Sequence, residues 1–212
     1  MLRLHLIRHG QTECSVRGRM CGRAHDPPLS EQGQAMAQAI ATGLAHLPLT
    51  AIVTSPLQRA RDTADPLAQR LFLTPYRDAD FAEIDLGEWE GLTPQEIEAR
   101  SPEQALAWKE NPKDVAPPQG ETALELNERV THAVSRWQKR YPSGEILVVA
   151  HKTVLRVLLC QALGIDIANF KRRLAQPLGG HSILELDHER GAFLRLLGSL
   201  AHLPRELHDL KG

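Results

Sequence analysis

The residues with the most chemical potential in this sequence are arginines and histidines placed just after apolar runs. Arg8-His9-Gly10 follows Leu4-His5-Leu6-Ile7, Arg59 follows Ala51-Ile52-Val53-Thr54 by five residues, and His151 directly follows Ile146-Leu147-Val148-Val149-Ala150. Forked guanidinium groups match the oxygens of a doubly charged anion, and helix N-termini add aligned N–H donors, so such a set converging at one rim makes a phosphate site. Glu83 stands in an acidic stretch with Asp78, Asp80, Asp85 and Glu88, a pattern that by itself reads as a solvated loop.

Those residues have to be positioned by regular elements. Leu2, Leu4 and Leu6 alternate with Arg3 and His5, the pattern of a strand that ends in the polar 8–12 loop. From Ser30 as N-cap, Met36, Ile40, Leu44 and Leu47 recur at helical spacing over about four turns. Ser55-Pro56 reads as an N-cap with proline at the first helical position, and Leu57, Ala60, Ala64 and Leu67 mark the buried face. Pro66 is expected to bend or split that helix. The apolar run 146–150 fits a strand buried on both faces, and the helix after it stops at Gly164. Segments 182–186 and 192–197 flank His188-Glu189-Arg190-Gly191 and read as a hairpin.

Strands alternating with helices predict an α/β fold: a three-layer α/β/α sandwich with a mainly parallel central sheet and an antiparallel C-terminal hairpin. In such sheets ligands bind beyond the carboxyl ends of the strands, where Arg8, His9, Arg59 and His151 all fall. Between about 92 and 119, Pro94, Pro102, Pro112, Pro117 and Pro118 punctuate short pieces, and Thr93 and Ser101 each open a capping-box pattern. This segment is expected to be a small helical lid inserted in a single domain covering 1–212, with a loosely attached tail after about 200. Thr122 opens a third capping box, ahead of a helix whose Leu126, Val130, Val134 and Trp137 face inward.

Composition narrows the class of function. With 25 Lys plus Arg against 26 Asp plus Glu, the formal charge of −1 argues against a nucleic-acid or membrane-surface partner. A chain of 212 residues can bury close to ~70% of its unfolded surface, so folding alone calls for no cofactor or disulfide. Cys14, Cys21 and Cys160 are an odd, sparse set, which fits free thiols in a reducing cytoplasm. The opening residues read as a strand rather than a signal peptide, and no apolar run approaches the roughly 18 residues of a membrane span. Among the ten histidines no His-x-x-x-His ligand spacing occurs, so no metal site is expected and most of the others are assigned to the surface.

Six blocks in order resemble the histidine phosphatase superfamily, also called phosphoglycerate mutase-like. They are Leu6-Ile7-Arg8-His9-Gly10-Gln11-Thr12, Gly18-Arg19 with Pro28-Leu29-Ser30, Ser55-Pro56-Leu57-Gln58-Arg59-Ala60, Glu83 to Gly91, Gly120-Glu121-Thr122, and His151 with Arg156. The resemblance implies a two-step phosphoryl transfer without a cofactor or metal. On that resemblance His9, as neutral imidazole, becomes phosphohistidine, Arg8, Arg59 and His151 stabilise the equatorial oxygens, and Glu83 acts first as acid and then as base, with Asp85 and Glu88 as alternative acids. Ser15, Gln11, Gly22, Lys152, Glu121 and Thr122 are the candidate substrate contacts, with Trp108, Lys109 and Lys113 as further contacts from the lid. Three positions depart from the family pattern: Ser15 stands where many relatives have asparagine, Cys14 where many have tryptophan, and Lys152 replaces the glycine that usually follows the second histidine.

The resulting expectation is a cytoplasmic, metal-independent phosphomonoesterase acting on a small phosphorylated metabolite, as a monomer or homodimer. Its Glu83 block resembles the phosphatase branch, including the α-ribazole phosphatases and broad-specificity enzymes. Mutase-type phosphoryl transfer is the alternative within the family. A catalytically weak phosphate-ligand binding protein is the alternative outside it, prompted by Lys152 and Ser15. Binding phosphate needs the arginines, but not a nucleophile paired with a proton donor, so retention of His9 and Glu83 favours the enzyme.

Overall fold

The computed structural model describes residues 1–210. One six-stranded sheet organises them: β1 (Leu2–Arg8), β2 (Leu49–Thr54), β3 (Tyr76–Arg77), β4 (Gly144–Ala150), β5 (His181–Asp187) and β6 (Gly191–Ser199). Their spatial order is β3-β2-β4-β1-β5-β6. The pairs β2–β3, β2–β4 and β1–β4 are parallel, whereas β1–β5 and β5–β6 are antiparallel. The α/β sandwich with a mainly parallel sheet and C-terminal hairpin is therefore the observed architecture.

Side-chain alternation divides the core into two layers. Leu2, Leu4, Leu6, Ala51, Val53, Ile146, Val148 and Ala150 face α6 (Ala123–Arg140) and α7 (Lys152–Leu163). Ile7, Ile52, Leu147 and Val149 face α2 (Glu31–Gly43) and α3 (Gln58–Leu71) on the other side. Helices on both faces explain why the 146–150 run is uniformly apolar, since each successive side chain enters a core.

Local signals were followed in most places. Ser30 caps α2 by accepting the Gly33 N–H, Thr93 and Thr122 close complete capping boxes, and Gly164 ends α7 in the left-handed conformation. The 92–119 segment contains α4 (Pro94–Arg100) and α5 (Pro102–Glu110). Gly33 of α2 lies so close to the first loop that a Cβ there would sit 2.0 Å from the Gln11 carbonyl oxygen, so a side chain would push the histidine-bearing loop away.

Five expectations are corrected. Ser55 does not cap a helix: α3 begins at Gln58 after Leu57, and the Gln58 N–H is taken by the Asp26 carboxylate at 2.6 Å. Ser101 forms no side-chain cap. Pro66 sits inside an unsplit α3, where it removes one intrahelical donor without ending a helix packed through Thr63, Ala64, Leu67 and Ala68. The tail is docked, because Leu203 and Leu207 are buried in the α2–α3 layer. Finally, His5 and His181 are interior residues. The His5 ring bridges Glu145 (2.8 Å) and His181 (2.9 Å), a network that the alternation of β1 places between strands.

Candidate active site

The sheet order makes the site. β4 lies beside β1, with Arg8 in register with Ala150, so the two residues that follow, His9 and His151, emerge together at the carboxyl edge. The His9 N–H donates to the Ala150 carbonyl at 3.0 Å, and the two imidazole centroids are 5.1 Å apart. The Gly10 N–H is held by Thr63 Oγ1 (2.9 Å), whose hydroxyl in turn donates to the Arg59 carbonyl (2.7 Å). The loop after β1 is thereby fastened to the first turns of α3.

His9 Nδ1 lies 2.8 Å from the Gly10 carbonyl oxygen, which can only accept. The proton is therefore on Nδ1, and Nε2 keeps its lone pair. Burial first, then the charges of Arg59 and Arg8, hold the ring's pKa well below the usual 6.5, so the imidazole is neutral at pH 7. His151 is buried, and for the same leading reasons, with the His9 ring adding to them, it too is held well below 6.5. Its Nε2 is 2.7 Å from Ser55 Oγ. That hydroxyl also accepts the Leu57 N–H, and Nδ1 of His151 is buried with no protein partner. With the ring proton on Nδ1, this nitrogen is a donor suited to an anionic oxygen.

Arg8 is buried and donates from Nη1 to the Gln176 carbonyl (2.8 Å); burial pushes its pKa down to about 10, which leaves it charged at pH 7. Arg59 is 1% exposed. It donates to the Gly22 carbonyl (2.8 Å) and pairs with Asp26 (3.0 Å), so part of its charge is already answered by the chain. Glu83 is buried as well: Oε1 accepts the Ile84 N–H (2.9 Å) and Oε2 accepts the Thr153 N–H of α7 (3.2 Å). The first turn of α7 thus anchors the Glu83 carboxylate two residues from His151 along the chain.

A cleft of about 810 Å³ opens over this edge. Arg8, His9, Ser15, Glu83 and Lys152 lie on its wall, with Trp108 from α5. Arg59 and His151 are enclosed behind that surface. Ser15 is turned partly to other work, since it completes the capping box of α1 (Glu13–Arg17) with Thr12. Six of the expected contacts lie off the cleft wall. The Gln11 side chain accepts from Ser30 (2.9 Å), and the Gly22 N–H is held by Glu90 (2.9 Å). Thr122 caps α6, and Glu121 bonds the Asp85 N–H (3.0 Å), Arg23 and Arg129. Lys109 and Lys113 are likewise off the wall.

The disulfide between Cys14 and Cys21 corrects the reading of both as free thiols. The fold brings the ends of the 14–21 segment together, a proximity that their spacing in sequence does not reveal. Both residues line the cleft. His25 Nδ1 or Nε2 and the two sulfurs lie within 4.8 Å of one another, a grouping that no spacing of ligand residues along the chain marks. Joined as a disulfide, those sulfurs offer no thiolate to a metal.

Of the supporting residues, Arg129 and Lys171 carried no sequence signal, whereas Glu90 stands inside the Glu83–Gly91 block. Arg129 of α6 donates to the carbonyls of Asp80 (2.6 Å), Ala82 (2.8 Å) and Glu83 (3.1 Å), which clamps the loop that presents the acid. Glu90 accepts from Gly22, Ala24 and His25 and shapes the loop against Arg59. Lys171 reaches the cleft from α8 (Phe170–Arg173). Arg156 was legible only in part: it stands four residues after Lys152, on the same face of α7.

Comparison with known proteins agrees with this geometry. The chain is 38% identical over 202 residues to the bifunctional protein Rv2228c of Mycobacterium tuberculosis, covering 95% of this chain but only 55% of that relative. It is 31% identical over 196 residues to phosphoserine phosphatase 1 of Hydrogenobacter thermophilus, covering 92% of each. The solved structure of Bacillus stearothermophilus YhfR superposes with a TM-score of 0.90 at 29% identity, over 96% of this chain and all of that one. No helix among the described residues is long and apolar enough to cross a membrane. Residues 4–197 match the model of the histidine phosphatase superfamily (branch 1), and the chain belongs to that family.

Proposed function

We propose that this chain hydrolyses phosphomonoesters of small metabolites through a phosphohistidine formed on His9. The observation that carries the reading is the His9 tautomer: Nδ1 is committed to the Gly10 carbonyl, so the basic Nε2 is available among buried cations. In the first step Nε2 attacks phosphorus, a P–N bond forms, and the ester P–O bond breaks. Glu83, as the acid, gives its proton to the departing alkoxide. Arg8 and Arg59 answer the charge on the equatorial oxygens, with His151 Nδ1–H as a further donor. In the second step Glu83, now a carboxylate, takes a proton from water while the water oxygen attacks phosphorus. Inorganic phosphate leaves and His9 is restored.

These fixed cations supply the charge stabilisation that a divalent ion supplies elsewhere, which supports a metal-independent reaction. Phosphoserine phosphatase 1, similar over nearly its whole length, supports a phosphorylated metabolite as substrate. We further propose that the enzyme acts in the cytoplasm, as a monomer or homodimer, on a diffusible substrate, without nucleic-acid or membrane partners. The test is phosphate release in EDTA from a panel that includes O-phosphoserine, 3-phosphoglycerate and α-ribazole 5′-phosphate, with His9→Ala in parallel. Turnover that survives EDTA and vanishes in folded His9→Ala is the expected result. Turnover at the parental rate in that variant overturns the role of His9.

A further inference from the structure

The charge on the cleft wall is lopsided. Beyond Arg8 and His9, the wall carries Arg17, Arg19, Lys152, Arg156 and Lys171, while Glu83 is its one carboxylate among the described residues. Arg17 and Arg19 are answered by Glu13 (3.6 Å) and Glu96 (3.2 Å). Among the described residues no ion pair reaches Arg156 or Lys171, and Arg156 Nε is buried without a hydrogen-bond partner; the charge of Glu83 acts on Arg156 from a distance, and no carboxylate acts on Lys171. Lys171 instead lies over the ring of Trp108, 2.8 Å from its centroid, an attraction weaker than a carboxylate would give.

Removing cations from water with only one carboxylate, Glu83, to offset several of them is costly, and cations side by side cost more. That cost is visible here: burial, followed by the charge of Arg156, pushes Lys171 down to about 7. Lys152 is pushed to about 8, by burial and then by Arg8 and Arg156. An anion entering this part of the cleft would relieve the repulsion and restore both ammonium groups. The phosphoryl group is already provided for at the sheet edge by Arg8, Arg59 and His151. Arg156 and Lys171 are additional to it: Arg156 lies one turn farther along α7 than Lys152, and Lys171 comes from α8 beside the aromatic faces of Trp108 and Phe170.

We propose that Arg156 and Lys171 form a subsite for a second anionic group of the substrate, so that the preferred substrates are small phosphomonoesters that also bear a carboxylate or second phosphoryl group. The inference rests on the hydrolase reading and deepens it. The ester's carbon skeleton packs against Trp108 and Phe170, and the second anion is held by the guanidinium and ammonium.

A matched pair of substrates tests this. 3-Phosphoglycerate and glycerol 3-phosphate both present a primary phosphate next to a CHOH group, and they differ in a carboxylate against a hydroxymethyl. The wild-type enzyme should favour 3-phosphoglycerate in kcat/KM by about tenfold or more. The same order should appear in affinity, measured by calorimetry with His9→Ala. In Arg156→Met/Lys171→Met the preference should fall to about threefold or less, with glycerol 3-phosphate turnover little changed. Arg156→Lys should keep most of the preference, which separates charge from packing. Where the double variant does not fold, Lys171→Met alone should lower the preference at least about threefold. Equal kcat/KM for the two esters in the wild type, or an undiminished preference in the folded variants, overturns the subsite. Discrimination in binding with no hydrolysis of any ester keeps the subsite and overturns the hydrolase reading instead.

Discussion

The imidazoles of His9 and His151, 142 positions apart in sequence, lie 5.1 Å apart because Arg8 and Ala150 pair in register on adjacent parallel strands. Register is specified by burial on both faces: a slip of one residue would exchange Ile7 with Leu6, and Val149 with Val148, between the two cores. The same packing that stabilises the sheet therefore sets the spacing of the histidine pair.

That pair predicts a shallow acid response. Both rings have pKa values well below 6.5, so the nucleophile is neutral and competent below the pH at which a solvated histidine would protonate. As pH falls, kcat/KM should stay level through 6.5 and decline only at lower pH, because protonation removes the Nε2 lone pair. A pH–rate profile with an acid limb at or above 6.5 would show that the ring is solvated in the working enzyme.

Glu83 should matter in proportion to how badly the leaving group needs a proton. In Glu83→Ala, hydrolysis of alkyl phosphates should fall by about 10²-fold or more, and hydrolysis of p-nitrophenyl phosphate should fall much less. Equal losses on the two substrates would count against proton donation by this residue.

Arg129 makes no contact with the cleft yet fixes the acid's loop through three carbonyls. Arg129→Met leaves those acceptors without their donor and should lower stability by about 2–3 kcal/mol. In protein that remains folded, alkyl phosphate turnover should drop more than p-nitrophenyl phosphate turnover, as for Glu83→Ala. A stability loss without that leaving-group signature would assign Arg129 to the fold alone.

The Cys14–Cys21 link closes a short loop on the cleft wall. On the chain-entropy account, breaking it costs about 2 kcal/mol, or roughly 5 °C in Tm for a chain of this size. Mass spectrometry of alkylated protein should find these two thiols blocked without reductant and modified after reduction. Cys14→Ser/Cys21→Ser with an unchanged Tm would show that the loop is held by other contacts, such as the Met20 and Gly91 backbone bonds.

Most of the main strands and helices, and the candidate reactive groups at their ends, could be read from the order of residues alone. Strand and helix periodicities, caps at Ser30, Thr93 and Thr122, and the stop at Gly164 are local properties, set by which side chain follows which. Arg8, His9, Arg59, Glu83 and His151 were legible as candidates because strand ends and the ordered blocks mark them, and the structure brings them to one edge of the sheet. What surrounds them was decided only in three dimensions. The disulfide, the Asp26 pairing of Arg59, the Arg129 clamp and the arrival of Lys171 depend on which loops meet across the sheet order, and no periodicity encodes that. Gln11, Gly22, Glu121 and Thr122 were drawn from the same loops, but their hydrogen bonds are spent inside the chain. His5 and His181 read as surface residues because histidine is polar; the antiparallel pairing of β1 with β5 places them where each can satisfy the other. Residue type limits the chemistry that a position can perform, and the tertiary contacts determine how much of that capacity is left for a ligand.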